Sequence, residues 1–211
     1  MNMKAMYAIS YGLFIVSARR GDFDNGCITN TVAQVTSEPN RISVAVNKAN
    51  YTCGMIRDSG VFTASVLSEN AKFSLFQRFG FQSGKDPGVY KFDGFGKVKR
   101  AENGTLIVTE GTNAWISARV EQMIDLGSHI LFIASVTDMD TLSDVPSATY
   151  TYYQNVIKPK PEKREAVGTT AEGKTIWRCT VCGYEYVGDE LPADFICPIC
   201  KHPASDFEKV V

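Results

Sequence analysis

Cys179-Thr180-Val181-Cys182 and Cys197-Pro198-Ile199-Cys200 form two C-x-x-C pairs separated by 14 residues. That spacing can bring four thiolates tetrahedrally around one soft metal ion. Zinc and iron both suit such a donor set, and an architectural zinc ribbon uses the same pattern. Two disulfides are the other use of four cysteines, but that belongs to small secreted domains. The chain upstream adds only Cys27 and Cys53, which read as small buried apolar residues. Trp177, Tyr184, Tyr186, Phe195 and Phe207 surround the cysteines in the sequence. Such a shell limits solvent access and tunes a redox metal, although so small a unit also needs its rings to fold.

The elements that hold these cysteines form a unit of their own. Residues 174–211 are too few for an apolar core to suffice without a metal or disulfide. Before them, residues 158–173 (Lys-Pro-Lys-Pro-Glu-Lys-Arg-Glu-Ala-Val-Gly-Thr-Thr-Ala-Glu-Gly) carry almost nothing to bury and read as a linker. Residues 1–157 are then a larger domain. The whole chain has 44% hydrophobic residues and 22 Lys and Arg against 23 Asp and Glu. A net charge of −1 gives no field for nucleic acid or an anionic membrane. No apolar stretch is long enough to span a bilayer, and the apolar run 5–18 is interrupted by Ser10, Tyr11 and Gly12, so it reads as a strand rather than a secretory leader. The expected location is the cytoplasm.

Within residues 1–157, strand-like runs occur at 13–18, 42–46, 61–67, 106–109, 114–120 and 130–136. Helices are expected over 50–59 and 70–80, the second capped by Asn70, stopped by Gly80 and carrying Phe73, Phe76 and Phe79. Many strands with few helices and no regular alternation predict a mainly β fold, an antiparallel barrel with helical insertions. The pair Gly94-Phe95-Gly96 lacks the third glycine and following helix of a dinucleotide-binding loop and reads as a turn.

The segments Cys179–Tyr184, Asp194–Cys200 and Asp206–Glu208 resemble a rubredoxin almost from end to end, with an abbreviated loop at 187–191. The resemblance implies that Cys179, Cys182, Cys197 and Cys200 bind one iron that moves single electrons. Residues 7–157 resemble the flavin reductase family, in which FMN sits in a split β-barrel. The segment 11–16 is similar to its opening strand, and 25–39 to its flavin-contacting strand, which assigns Thr29, Asn30, Thr31 and Gln34 to the cofactor. The segment 42–48, with Tyr51 and Thr52 beyond, is similar to the strand and loop that hold the phosphate and ribityl chain, adding Asn47, Lys48, Tyr51 and Thr52. Hydroxyls, amides and a lysine charge are the groups a polyol and a phosphate require. Gly127-Ser128-His129 stands where the family has Gly-Asp-His, which assigns His129 to the flavin or the nicotinamide. Tyr152 is a candidate cover for the flavin, beside Tyr153.

The combination implies an NAD(P)H-dependent oxidoreductase. FMN takes a hydride from NADH or NADPH and supplies single electrons to the tetracysteine iron, which reduces an external acceptor. The resemblance points to a flavodiiron protein reducing O2 or NO, and to a homodimer formed through the flavin domain. No side chain is required as acid or base. The rival readings are a flavin reductase that releases reduced FMN to a monooxygenase and carries a zinc docking module, and a metal-binding adaptor without flavin.

Overall fold

The computed structural model describes residues 3–159, 175–180, 183–198 and 202–210. The chain divides into two compact units, Met1–Ile157 and Lys158–Val211. Most of the linker read over 158–173 lies outside the described residues.

The first unit contains β1 (Phe14–Arg20), β2 (Phe23–Thr29), β3 (Ala33–Ser37), β4 (Asn40–Asn47), α1 (Tyr51–Ser59), β5 (Val61–Leu67), α2 (Phe73–Gly80), β6 (Val98–Arg100), β7 (Leu106–Val108), β8 (Thr112–Asp125), β9 (His129–Thr141) and a last helical turn, α3 (Tyr150–Tyr152). Seven strands form one sheet in the order β2-β1-β5-β8-β9-β4-β3, every pair antiparallel, while β6 and β7 pair separately. Its two edge strands, β2 and β3, are consecutive in the chain and joined only by residues 30–32. Laid flat, seven strands would separate those edges by roughly 29 Å. The joint can reach at most about 14 Å. The sheet must therefore roll until its edges meet, which is the split barrel expected from the sequence. Hydrogen bonds fasten the meeting point: Thr31 Oγ1 donates to the Ala45 carbonyl on β4 (2.7 Å) and accepts from the Ala45 N–H (3.2 Å).

Rolling leaves apolar material on both sides of the central strands. Val16, Val44, Val46, Phe62 and Phe132 pack with Met55 and Ile56 of α1. Ile15, Leu67 and Val108 pack on the other side with Leu75, Phe76 and Phe79 of α2. Neighbours Ile15 and Val16 point to opposite faces, and both are fully buried. That is why β1 reads as a continuous apolar run rather than an alternation.

Some element boundaries depart from the sequence reading. The strand expected at 114–120 runs over 112–125 and the one at 130–136 over 129–141, because the ladder continues where the side chains are exposed and no apolar pattern marks it. β1 extends to Arg20 and reverses through Gly21 and Asp22, with Gly21 at φ 57. Asn70 does not cap α2. The Ala71 N–H is taken by Ser68 O in a preceding turn, and the helix starts at Phe73. By contrast, α1 is capped by Asn50, whose side chain accepts from the Thr52 N–H.

The second unit is a small sheet in the order β11-β10-β12, from β10 (Ile176–Cys179), β11 (Glu185–Val187) and β12 (Phe207–Lys209). Phe195 is its aromatic centre, with ring centroids at 4.7 Å from Tyr186, 5.4 Å from Phe207 and 6.4 Å from Tyr184. These contacts build the core that a short chain lacks from aliphatic residues.

Lys91 is a buried cation that ties two elements together. Its Nζ donates to Gly26 O on β2 (2.9 Å) and to Phe79 O on α2 (3.1 Å). Burial pushes its ammonium down from the ordinary 10.5 to about 8, against the pull of Cys27 and Asp86. Between these two values the unfolded chain holds a proton that the folded chain does not, so stability rises with pH across that window. Denaturant unfolding at pH 8 and above 10 is expected to show wild type gaining on the order of 3 kcal/mol relative to Lys91→Met. A difference that stays constant with pH contradicts this account.

Candidate functional site

The joint that closes the barrel also carries the first group of candidate residues. Thr31 Oγ1 gives its only proton to Ala45 O, so in its 2.7 Å contact with Thr29 Oγ1 the donor is Thr29. Thr29 Oγ1 in turn accepts from the Thr31 N–H at 3.3 Å. The two threonines thus spend their protons on the joint itself. Asn30 lies between them, half-buried, and its carboxamide makes no hydrogen bond among the described residues. It keeps a donor pair and an acceptor for a ligand edge. From Val32 onward the chain borders a cavity of about 280 Å³, lined also by Phe14, Gln34, Ile42, Ile116 and Val136 among others. Gln34 stands at the polar rim and donates to Asn40 Oδ1 at 3.1 Å. An apolar slot with a few convergent amides suits a planar heteroaromatic ligand.

The second group sits at the end of β4. Ile42, Val44 and Val46 point into the core, which leaves Ala45 and Asn47 on the same outward side. Asn47 pairs in register with His129 at the start of β9. Its Oδ1 accepts from the Ala49 N–H and its carbonyl from the Asn50 N–H. The Lys48 N–H donates to Ser128 O at 3.0 Å, and its Nζ reaches Asp125 at 2.6 Å. His129 Nδ1 is 2.8 Å from Ser128 Oγ, which leaves Nε2 for a ligand. The fold therefore gathers Asn47, Lys48 and His129, and connects them to the threonine joint through Ala45.

The remaining candidates are placed differently. Tyr51 packs edge-on against Phe23 at 5.7 Å, under the Arg20 guanidinium at 5.4 Å. Thr52 is fully buried and its hydroxyl accepts from Asn25 Nδ2 at 3.1 Å, so its side chain serves the core beneath α1. Tyr152 shares no hydrogen bond or ring contact with the other candidates among the described residues, and it packs on the Leu13–Phe76 cluster. Asp125 was missed from the sequence. Asp-Leu-Gly signals a turn, and Asp125 Oδ1 does accept from the Gly127 N–H, but nothing marks a contact to Lys48, 77 residues away. Cys27 and Cys53 are free and buried, and burial pushes both thiols up, which keeps them protonated and inert.

In the second unit Cys179 closes β10 and Cys197 follows the Phe195 centre, both buried. Cys182 and Cys200 lie outside the described residues. Each described cysteine is wrapped by backbone. Gly183, at φ 82, donates to Cys179 O at 2.9 Å while Cys179 donates to Tyr184 O at 2.8 Å. Cys197 likewise donates to His202 O at 2.8 Å. A buried thiol held by a tight glycine turn in an aromatic shell fits a soft metal ion.

Residues 6–160 match the flavin reductase like domain family, and residues 177–208 the rubrerythrin, rubredoxin-like domain. The chain is 36% identical to the high molecular weight rubredoxin of Moorella thermoacetica, with all of both chains covered. It is also 36% identical to a ferric-chelate reductase (NAD(P)H) of Archaeoglobus fulgidus, over 79% of this chain and 97% of that one. Among solved structures, BorF, the flavin reductase component of a bacterial two-component tryptophan halogenase, shares the fold with a TM-score of 0.60 at 20% identity, over 69% of this chain and 89% of that one.

The closure joint yields a test. Thr31→Val removes the bonds to Ala45 and leaves the Ala45 N–H without its acceptor, so unfolding in urea is expected to show a loss of about 1 to 3 kcal/mol. An unchanged midpoint and slope would mean that the joint is held by other contacts.

With a flavin reductase like domain over most of its length and a rubredoxin-like domain after it, this chain is an oxidoreductase of the flavin reductase family in the two-domain form of the high molecular weight rubredoxins.

Proposed function

We propose that this protein is an NAD(P)H-dependent electron-transfer oxidoreductase that reduces an external acceptor, a flavodiiron protein acting on O2 or NO. The observation that carries the reading is the presence of a flavin reductase like domain and a rubredoxin-like domain in one chain. FMN, when bound, takes a hydride from NADH or NADPH and releases single electrons, the unit in which an iron held by Cys179, Cys182, Cys197 and Cys200 can carry them.

The chain's own part is binding, orientation and exclusion of water. Asn30 offers its free carboxamide to the polar edge of the flavin ring. Thr29 and Thr31 hold Asn30 in place through the closed joint, and Gln34 with the apolar slot behind it receives the ring. Lys48 supplies positive charge for the flavin phosphate, and the unspent Nδ2 of Asn47 a donor to the ribityl chain. His129, fixed by Ser128, presents Nε2 toward the nicotinamide. Thr52, bonded to Asn25, and Tyr51, packed on Phe23, brace the start of α1 behind Lys48. The aromatic shell of the second unit lowers water access to the iron. Residues 1–157 and 174–211 act as separate domains on the linker 158–173.

The active form in this reading is a homodimer in the cytoplasm. Met123, Ile124 and Leu126 on the β8–β9 hairpin, with Met139 further along β9, are all more than two-fifths exposed. Exposed apolar side chains at the hairpin are what a self-association surface offers. Among the described residues no helix is long and apolar enough to cross a membrane.

Three measurements test the proposal. Under anaerobic NADH or NADPH, the visible flavin and iron-thiolate bands are expected to bleach together; zinc in place of iron points to the simple flavin reductase. Cys197→Ser is expected to keep NAD(P)H oxidation with an artificial flavin acceptor while reduction of the protein acceptor stops. If the variant still reduces the protein acceptor at the wild-type rate, the iron is off the path. In light scattering, Ile124→Glu is expected to shift the mass from dimer to monomer, and an unchanged dimer removes the hairpin from the interface.

A further inference from the structure

The stretch that follows β4 presents few free donors for an anion. The Lys48 N–H is bound to Ser128 O, the Ala49 N–H to Asn47 Oδ1, the Asn50 N–H to Asn47 O, the Thr52 N–H to Asn50 Oδ1 and the Cys53 N–H to Asn50 O. With five of the six N–H groups over residues 48–53 taken by the chain itself, little is left to give a phosphate. The one mobile charge on this stretch is the Lys48 ammonium, and it already has a partner. Its Nζ lies 2.6 Å from Asp125 Oδ2 and 2.5 Å from Asp125 Oδ1.

Asp125 is not free to swing away. It sits at the end of β8, paired in register with Ile130, and its Oδ1 accepts from the Gly127 N–H at 2.8 Å. The turn is closed again by the Leu126 N–H donating to His129 O at 2.9 Å. The Lys48 side chain can rotate about four bonds, whereas the carboxylate is fixed to its turn. The Lys48 ammonium and then the Gly127 N–H hold the Asp125 carboxyl below its usual range, so it stays ionised near neutral pH.

Resting on the reading that Lys48 meets the flavin phosphate, we propose that Asp125 is a specificity-determining residue: a fixed carboxylate that competes with the phosphate for Lys48. A phosphate dianion arriving at Lys48 must either take the ammonium from Asp125 or sit beside a second anion. Both effects weaken the hold on a phosphorylated flavin and leave one without phosphate untouched. Asp125 thereby narrows the difference in affinity between FMN and riboflavin. Because both side chains are substantially exposed, the effect is a modest one.

The test titrates the full-length protein, freed of flavin, with FMN and with riboflavin, following flavin fluorescence. Asp125→Asn keeps the shape and the acceptor for the Gly127 N–H, so the turn is preserved. It is expected to tighten FMN roughly 3- to 10-fold and leave riboflavin within about 2-fold of wild type. Added salt is expected to shrink the gain, since it screens exposed charges. Lys48→Met is expected to weaken FMN and spare riboflavin. If Lys48→Met weakens FMN selectively but Asp125→Asn leaves FMN unchanged, or tightens both flavins equally, the role of Asp125 is overturned. If Lys48→Met has no selective effect, the phosphate is not at Lys48, and the parent reading falls together with the inference.

Discussion

The architecture of the first unit depends on the shortness of one connection. Three residues join strands that lie at opposite edges of a seven-stranded sheet, and no flat arrangement satisfies that length. Closure is therefore a covalent requirement rather than the result of favourable side-chain contacts alone. The same residues then become the place where backbone from both edges and from β4 converges. Thr29 and Thr31 satisfy each other and Ala45, and the Asn30 amide between them has no partner among the described residues. In this fold the binding candidate is a by-product of the closure, because the threonine hydroxyls are used up in holding the joint while, among the described residues, the Asn30 carboxamide is not.

How much of this was legible depended on which faces the elements bury. β1, β4 and β5 were visible because core lies on one or both sides of them and their apolar residues mark it. β2 was visible only by resemblance to a family. Its Asp24-Asn25-Gly26 looks like a turn, yet Asn25 is fully buried and bonded to Thr52. β3 is exposed along its whole length, and its short Ala33-Gln34-Val35 alternation buries nothing in the core. The cysteine pairs were the clearest signal, since metal ligation constrains spacing directly. Long-range ion pairs were the least legible: Lys48 and Asp125 meet only because β4 and β8 both lie beside β9.

The two units obtain their cohesion differently. The first buries aliphatic residues against two helices, and the Lys91 ammonium is held inside by two carbonyls. The second has too few residues for such a core and uses aromatic rings around Phe195 with buried thiols beside them. An ion bound to those thiols would be part of the folding energy of the unit, since the thiolate ligands are not preorganised in an unfolded chain.

The pairing of β4 with β9 also sets an order of assembly. Residues 29–31 and 47–48 belong to the first quarter of the chain, but β4 gains its partner on the β9 side only when residues 129–141 are present. Contacts of such sequence separation form late, after the local hairpins. On the ribosome, a nascent chain halted before β9 therefore has β1 and β2 able to pair, while the β4 end of the candidate site has no frame to stand on. The candidate site is completed by synthesis of the domain's last long strand, shortly before the cysteine unit follows.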